Sequence, residues 1–151
     1  MINENKYSQF GEKGLNPIAI TIHNTGSDLT ARELFDWIND ECQTSQGCHY
    51  LVDDNEVIEV MPLDWKVYHT GKGRDWAFNN SIAIEICSNI DNGKYFRGQD
   101  KAIKLIKKLM KKYSLETKDL YFHIDFNPQS YCPKNILDIY KDKKTFIKEE
   151  F

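Results

Sequence analysis

The sequence predicts an α/β fold: a single domain with a central mixed β-sheet flanked by helices, and chemistry at the strand ends. Three observations carry that prediction. Short β-branched runs, "PIAITIHNTG" and "SIAIEIC", stop at turn signals or polar residues as buried strands do. These runs alternate with segments of helical periodicity, which is the pattern of a sheet covered by helices. The 151 residues contain no repeat, low-complexity tract or linker, so they form one domain, large enough to bury a core of its own.

Taken in order, residues 1–16 are polar and read as a lead-in strand or arm. "PIAITIHNTG" follows as a buried strand ending in an Asn-Thr-Gly turn, with His23 at its C-terminal end, where α/β folds tend to place chemistry. "TARELFDWINDEC" opens with Thr30 and carries Glu33 three residues on, a capping box, after which Leu34, Trp37 and Ile38 fall on one helical face. "HYLVDDNEVIEVMP" reads as a hairpin, with Asp53 and Asp54 supplying turn chemistry. "SIAIEIC" is a further strand with Glu85 set among apolar neighbours. "DKAIKLIKKLMKKY" places Ile103, Ile106, Leu109 and Met110 at mainly helical spacings, so its lysines form the solvated face of an amphipathic helix. A short strand "DLYFHI", a loop and a last helix from about Asn135 complete the chain.

Composition narrows the function. A net charge of −3 with no basic face argues against nucleic acid as a partner. No apolar run approaches the roughly 20 residues that span a bilayer, so no membrane partner is expected. The start "MINENKYSQFGEKG" lacks an apolar signal core, so the chain is expected to be made and kept in a bacterial cytoplasm. Cys42, Cys48, Cys87 and Cys132 show no CxxC spacing, and a reducing compartment disfavours disulfides. Each is left to metal ligation, nucleophilic catalysis or plain burial.

The loop "YFHIDFNPQSYCP" sets His123 and Cys132 around an Asn-Pro turn. Singly, His23 and His123 read more readily as structural histidines, and Cys132 as a small buried hydrophobe. Glu85 differs, because a carboxylate inside an apolar strand is costly unless paired, protonated or used. Together His23, His123 and Cys132 make a His₂Cys set that suits Zn²⁺ with an open fourth position, and Glu85 could take a proton from a water there. The residues alone leave open a thiol hydrolase built on Cys132 or Cys48, and a structural zinc.

Four blocks, "ITIHNTGS", "GCHYLVDDNEVIEVMPLDWKVYHTG", "NNSIAIEIC" and "HIDFNPQSYCP", make the chain resemble the type 2 N-acetylmuramoyl-L-alanine amidases over about residues 17–140. That family also holds peptidoglycan recognition proteins and phage endolysins. The resemblance implies a zinc hydrolase that cuts the amide between N-acetylmuramic acid and the L-Ala of the stem peptide. It assigns zinc to His23, His123 and Cys132, and the role of base to Glu85. Cys48 stands where members lacking that glutamate carry a tyrosine. His69 and Asn24 are placed with the substrate, as is His49, whose counterpart is more often structural than catalytic. Ser130 stands where many members carry a lysine that stabilises the oxyanion, so Ser130 or Gln129 would donate that hydrogen bond, or zinc would act alone. The implied partner is bacterial peptidoglycan, reached by an endolysin from its host's cytoplasm, with a wall-binding domain outside this chain. A non-catalytic binding module and a cytoplasmic recycling amidase are the alternatives.

Overall fold

The β-branched runs become strands because their alternating side chains find a helix-covered core on one face and a second core on the other. In the computed structural model, which describes residues 1–89 and 91–151, β1 (Gly11–Lys13), β2 (Ala19–Asn24), β3 (Tyr50–Val52), β4 (Val57–Glu59), β5 (Trp65–Val67), β6 (Ser81–Ile86) and β7 (Leu120–Phe122) succeed one another. Five form a sheet in the order β4-β3-β6-β2-β7, and β1 pairs with β5 in a separate two-stranded ribbon. Within the large sheet β3, β6, β2 and β7 run parallel, and β4 closes the edge antiparallel to β3. The mixed sheet is therefore as expected.

Register divides the sheet chemically. Ile20 and Ile22 of β2 sit beside Ile82 and Ile84 of β6, and all four are buried in one cluster with Phe122, Ile103, Ile106 and Leu109. The last three lie on α4 (Asn92–Tyr113), whose Lys104, Lys107, Lys108, Lys111 and Lys112 are exposed. The lysine run is thus the solvated face it was read as. The opposite face of the same strands carries Thr21, His23, Ser81 and Glu85. No described helix is long and apolar enough to cross a membrane.

Other elements differ from the expectation in extent. Residues 1–16 do form the strand β1, but they begin with a 3-10 turn at Glu4–Lys6 and α1 (Tyr7–Phe10). They are more than a polar arm, since Ile2, Tyr7 and Phe10 are buried in the second cluster with Val60, Met61 and Val67. Gly11 is required by close approach: a Cβ there would lie 1.7 Å from the Lys66 carbonyl oxygen. α4 begins eight residues before Asp100, where Asp91 accepts from the Lys94 amide. The strand "DLYFHI" ends two residues early, because His123 opens a one-turn helix, α5 (His123–Phe126). α3 (Trp76–Asn80) lies ahead of β6, and α6 (Lys134–Tyr140) is followed by α7 (Lys143–Glu150).

α2 (Ala31–Asp40) starts where the capping box placed it, with the Thr30 side chain accepting from the Glu33 amide and Glu33 bonding back. Asp53, in the β3–β4 turn, accepts from the amides of Asn55 and Glu56 through Oδ1 and from Ala31 through Oδ2, each at 2.8 Å. One buried carboxylate therefore closes the hairpin and pins the first turn of α2 to it. Asp53→Ala strands these amides, at a cost of about 1–3 kcal/mol. Thermal melting should fall by roughly 3–10 °C in a domain of this size; an unchanged melting point would show that the turn holds α2 by other means.

Candidate metal centre

Parallel strands end together, so the side chains at their carboxyl ends converge. β2 delivers His23, β6 delivers Glu85 opposite it in register, and the residue just past β7 is His123. Cys132 arrives from the loop after α5, which is folded by bonds from the Ile124 amide to the Cys132 carbonyl and from the Ser130 amide to the Asn127 carbonyl. One donor atom from each of His23, His123 and Cys132 falls within 4.8 Å of the others, the one such group among the described residues.

The finer geometry fits a metal. His23 Nδ1 lies 3.8 Å from Cys132 Sγ, against the N···S separation of about 3.5 Å set by tetrahedral zinc bond lengths. Glu85 Oε1 is 3.9 Å from the same Nδ1, while Glu85 Oε2 is buried with no hydrogen-bond partner. The nitrogens turned away from the cluster are engaged: His23 Nε2 is 3.0 Å from His69 Nδ1, and His123 Nε2 is 3.0 Å from the Thr70 carbonyl. The cluster can therefore hold a metal ion through two imidazoles and a thiolate, leaving one side open towards Glu85.

Burial sets the protonation states. It pushes the pKa of His23 well below the ordinary value, with His69 and His123 adding to the effect, and it lowers His123 as well. Burial also raises the Glu85 carboxyl to about 7, and raises the Cys132 thiol to about 12 with Glu85 contributing. Neutral His23 makes no ion pair with Glu85, and neutral imidazoles are the form that ligates metal. A thiol nucleophile needs the opposite, a cation that depresses its pKa. Cys48 is likewise raised well above its ordinary value, by burial and then by Glu85 and Cys87. The thiol-hydrolase reading has no support in this environment.

Beside the cluster runs an open groove lined among others by Leu34, Trp37, Ile38, Cys48, His69 and Glu85. The apolar stripe of α2, legible in the sequence as one helical face, is thus a groove wall, and Trp37 remains 42% exposed. That exposure could not be read from spacing alone.

The remaining sequence-assigned residues divide. Ser130 is half-buried with Oγ 3.5 Å from His123 Nδ1, at the edge of the cluster, whereas Gln129 is exposed. His69 borders the groove but spends both nitrogens on protein, Nδ1 on His23 and Nε2 on Ser81 Oγ at 3.2 Å. His49 is a correction. It is 0% exposed, its Nε2–H donates to the Trp65 carbonyl at 2.8 Å and its Nδ1 accepts from the Ala83 amide at 2.9 Å. It replaces ladder bonds between β5 and β6 and cannot touch a substrate. Asn24 is a second correction: its Nδ2 donates to the Ile86 carbonyl and its Oδ1 accepts from the Asn135 amide, so it ties β2 to β6 and to α6. Thr70 and Ser81 were not singled out from the sequence, because a carbonyl and a lone serine leave no motif.

Fold and site together define the class: an α/β domain with a cluster of three potential metal donors at the carboxyl ends of its parallel strands. The chain belongs to the N-acetylmuramoyl-L-alanine amidase family, whose profile matches residues 13–135. It is 34% identical over 135 residues to the N-acetylmuramoyl-L-alanine amidase CwlA of Bacillus subtilis (strain 168), covering 86% of this chain and 49% of that protein. The catalytic domain of XlyA superposes with a TM-score of 0.80 at 27% identity, covering 92% of each chain. PlyL shares the fold at a TM-score of 0.89 and 24% identity, over 98% of this chain and 92% of its own. The chain spans about half the length of the curated relatives it matches.

The Glu85 environment has a measurable consequence in metal-free protein. Its carboxyl titrates near 7 when folded and near 4.5 when unfolded. Between those values the folded chain keeps a proton that the unfolded chain has lost, so stability falls as pH rises through this window. Glu85→Gln removes the penalty. In chelator-treated protein the variant should be more stable than the parent by roughly 2 kcal/mol near pH 8, the full shift being discounted for the groove-facing part of the side chain, and equal to it below about pH 4.5. Equal denaturant midpoints near pH 8 would show that this carboxyl is not desolvated.

Proposed function

We propose that this domain is a zinc-dependent peptidoglycan hydrolase that cleaves the amide between N-acetylmuramic acid and L-alanine of the stem peptide, acting as the catalytic part of an endolysin. The observation that carries the reading is the placement of Glu85 in register with His23, its carboxyl facing the open side of a His₂Cys cluster. When bound, zinc supplies a Lewis acid that polarises an amide carbonyl and makes a water acidic at neutral pH.

The chain's own residues would do the rest. His23, His123 and Cys132 hold the metal, and the thiolate lowers its net charge by one. Glu85 would take the proton of the attacking water and pass it to the leaving L-alanine amine. Ser130, beside His123, offers a hydroxyl to the carbonyl oxygen as charge builds on it. The groove wall of Leu34, Trp37 and Ile38 offers apolar surface to the stem peptide. A non-catalytic module would need neither the third donor Cys132 nor a desolvated Glu85, and the presence of both favours catalysis. Peptidoglycan reached from a host cytoplasm, with wall binding by a further domain, completes the reading.

Two variants separate metal from proton transfer. Cys132→Ala should lose zinc and activity together, whereas Glu85→Gln should keep zinc and lose turnover by roughly 10²–10⁴, the usual value of general acid–base catalysis. Full zinc occupancy in Cys132→Ala would remove that residue from the donor set, and near-normal turnover of Glu85→Gln would reduce the carboxylate to a structural group.

The bond cut is read directly from digested wall material. A metal site with a single carboxylate fits amide hydrolysis, whereas a glycosidase needs two carboxyls flanking the sugar bond. Digestion should release stem peptides with new L-alanine amino termini and no new reducing sugar ends. New reducing ends without new amino termini would overturn the amidase reading.

A further inference from the structure

Two neighbouring residues, His69 and Thr70, contact the two imidazoles of the cluster from behind, and both are fastened to α3. Thr70 is held by its hydroxyl, which donates to Asp75 Oδ2 at 2.6 Å, while Asp75 Oδ1 caps α3 by accepting from the Phe78 amide. His69 is held by Ser81, the first residue after α3. Ser81 Oγ lies 2.9 Å from the Ala77 carbonyl, 3.2 Å from His69 Nε2 and 2.8 Å from Thr21 Oγ1.

These contacts have a single consistent direction. A carbonyl oxygen can only accept, so the Ser81 hydroxyl donates its one proton to Ala77. The Ser81 oxygen must then accept from His69, which makes Nε2 the protonated nitrogen of that ring. His69 Nδ1 is left as an acceptor and receives the Nε2–H of His23, at 3.0 Å. His23 Nδ1 is therefore bare, and it faces Cys132 Sγ. His123 obeys the same logic in one step, since the Thr70 carbonyl accepts its Nε2–H and leaves Nδ1 bare. The whole chain is shielded, with Thr21 and Ser81 0%, His23 1% and His69 4% exposed.

We infer that the His69–Thr70 pair is a positioning device that fixes the tautomer of both imidazole donors, His69 by its side chain and Thr70 by its carbonyl, each oriented from α3. This rests on the reading of His23, His123 and Cys132 as zinc donors. His69 is a positioning residue with no part in contacting substrate. Ligating histidines commonly hand their second N–H to a carboxylate or carbonyl; here one is handed to a neutral imidazole whose own proton is directed by a serine.

The test uses zinc affinity, measured by chelator competition on the whole chain, and imidazole ¹⁵N spectra of the metal-free native protein. His69→Ala should weaken zinc binding about 10–100-fold. His69→Asn, which sets a carbonyl oxygen where Nδ1 stood, should restore affinity to within a few-fold of native. The native spectra should show His23, His69 and His123 all protonated at Nε2 near neutral pH. His69→Ala with native zinc affinity, equal losses in both variants, or a His69 protonated at Nδ1 would each overturn the inference. The spectra decide the matter even if His69→Ala does not fold. A native protein that bound no zinc would instead overturn the donor assignment, and that result appears before any variant is made.

Discussion

The parallel register of β2 on β6 is the constraint on which the rest depends. It aligns Ile20 and Ile22 with Ile82 and Ile84 on one face, and Thr21 and His23 with Ala83 and Glu85 on the other. A slip of one residue would turn every side chain of β2 over, placing two isoleucines in the groove and the histidine in the core under α4. The apolar face thus does more than stabilise the sheet: it selects the register that brings Glu85 beside His23. The site is positioned by hydrophobic burial on the side of the sheet where no chemistry occurs.

Burial then acts a second time, on charge. The interior that holds His23 neutral also keeps the Cys132 thiol protonated and raises Glu85. Loading a metal must therefore release the thiol proton, and a cation arriving beside Glu85 favours its ionised form. With its imidazoles deprotonated, the metal-free cluster carries no formal charge from these groups below about pH 7 and gains a desolvated carboxylate as pH rises past it. Such a site holds itself ready for a cation while resisting the protons that compete for the same imidazoles.

How much of this was legible follows from how local each signal is. α2 has a capping box and α4 several turns of periodicity, and β2 and β6 have long β-branched runs, so they could be read directly, though the first eight residues of α4 went unread. β5 and α3 are three and five residues long, too short for a period to show. The cluster of His23, His123 and Cys132 was legible because its residues lie in family blocks. The assignments of His49 and Asn24 to substrate failed because their partners, Ala83, Trp65, Ile86 and Asn135, are set by long-range register rather than by neighbouring sequence. α3 shows the cost of missing a short element: five residues with no recognisable pattern anchor what lies behind both imidazoles.

Asn24 carries a consequence for assembly. Its side chain binds the Asn135 amide at the start of α6, and its carbonyl receives Cys132 Sγ at 3.8 Å. The loop bearing Cys132 is thereby moored to the strand bearing His23. Zinc fingers, in contrast, fold only as they acquire their ion. Here the Asn24–Asn135 bond and the two apolar cores involve none of the three candidate donors, so what holds the loop to the strand is distinct from what could hold a metal.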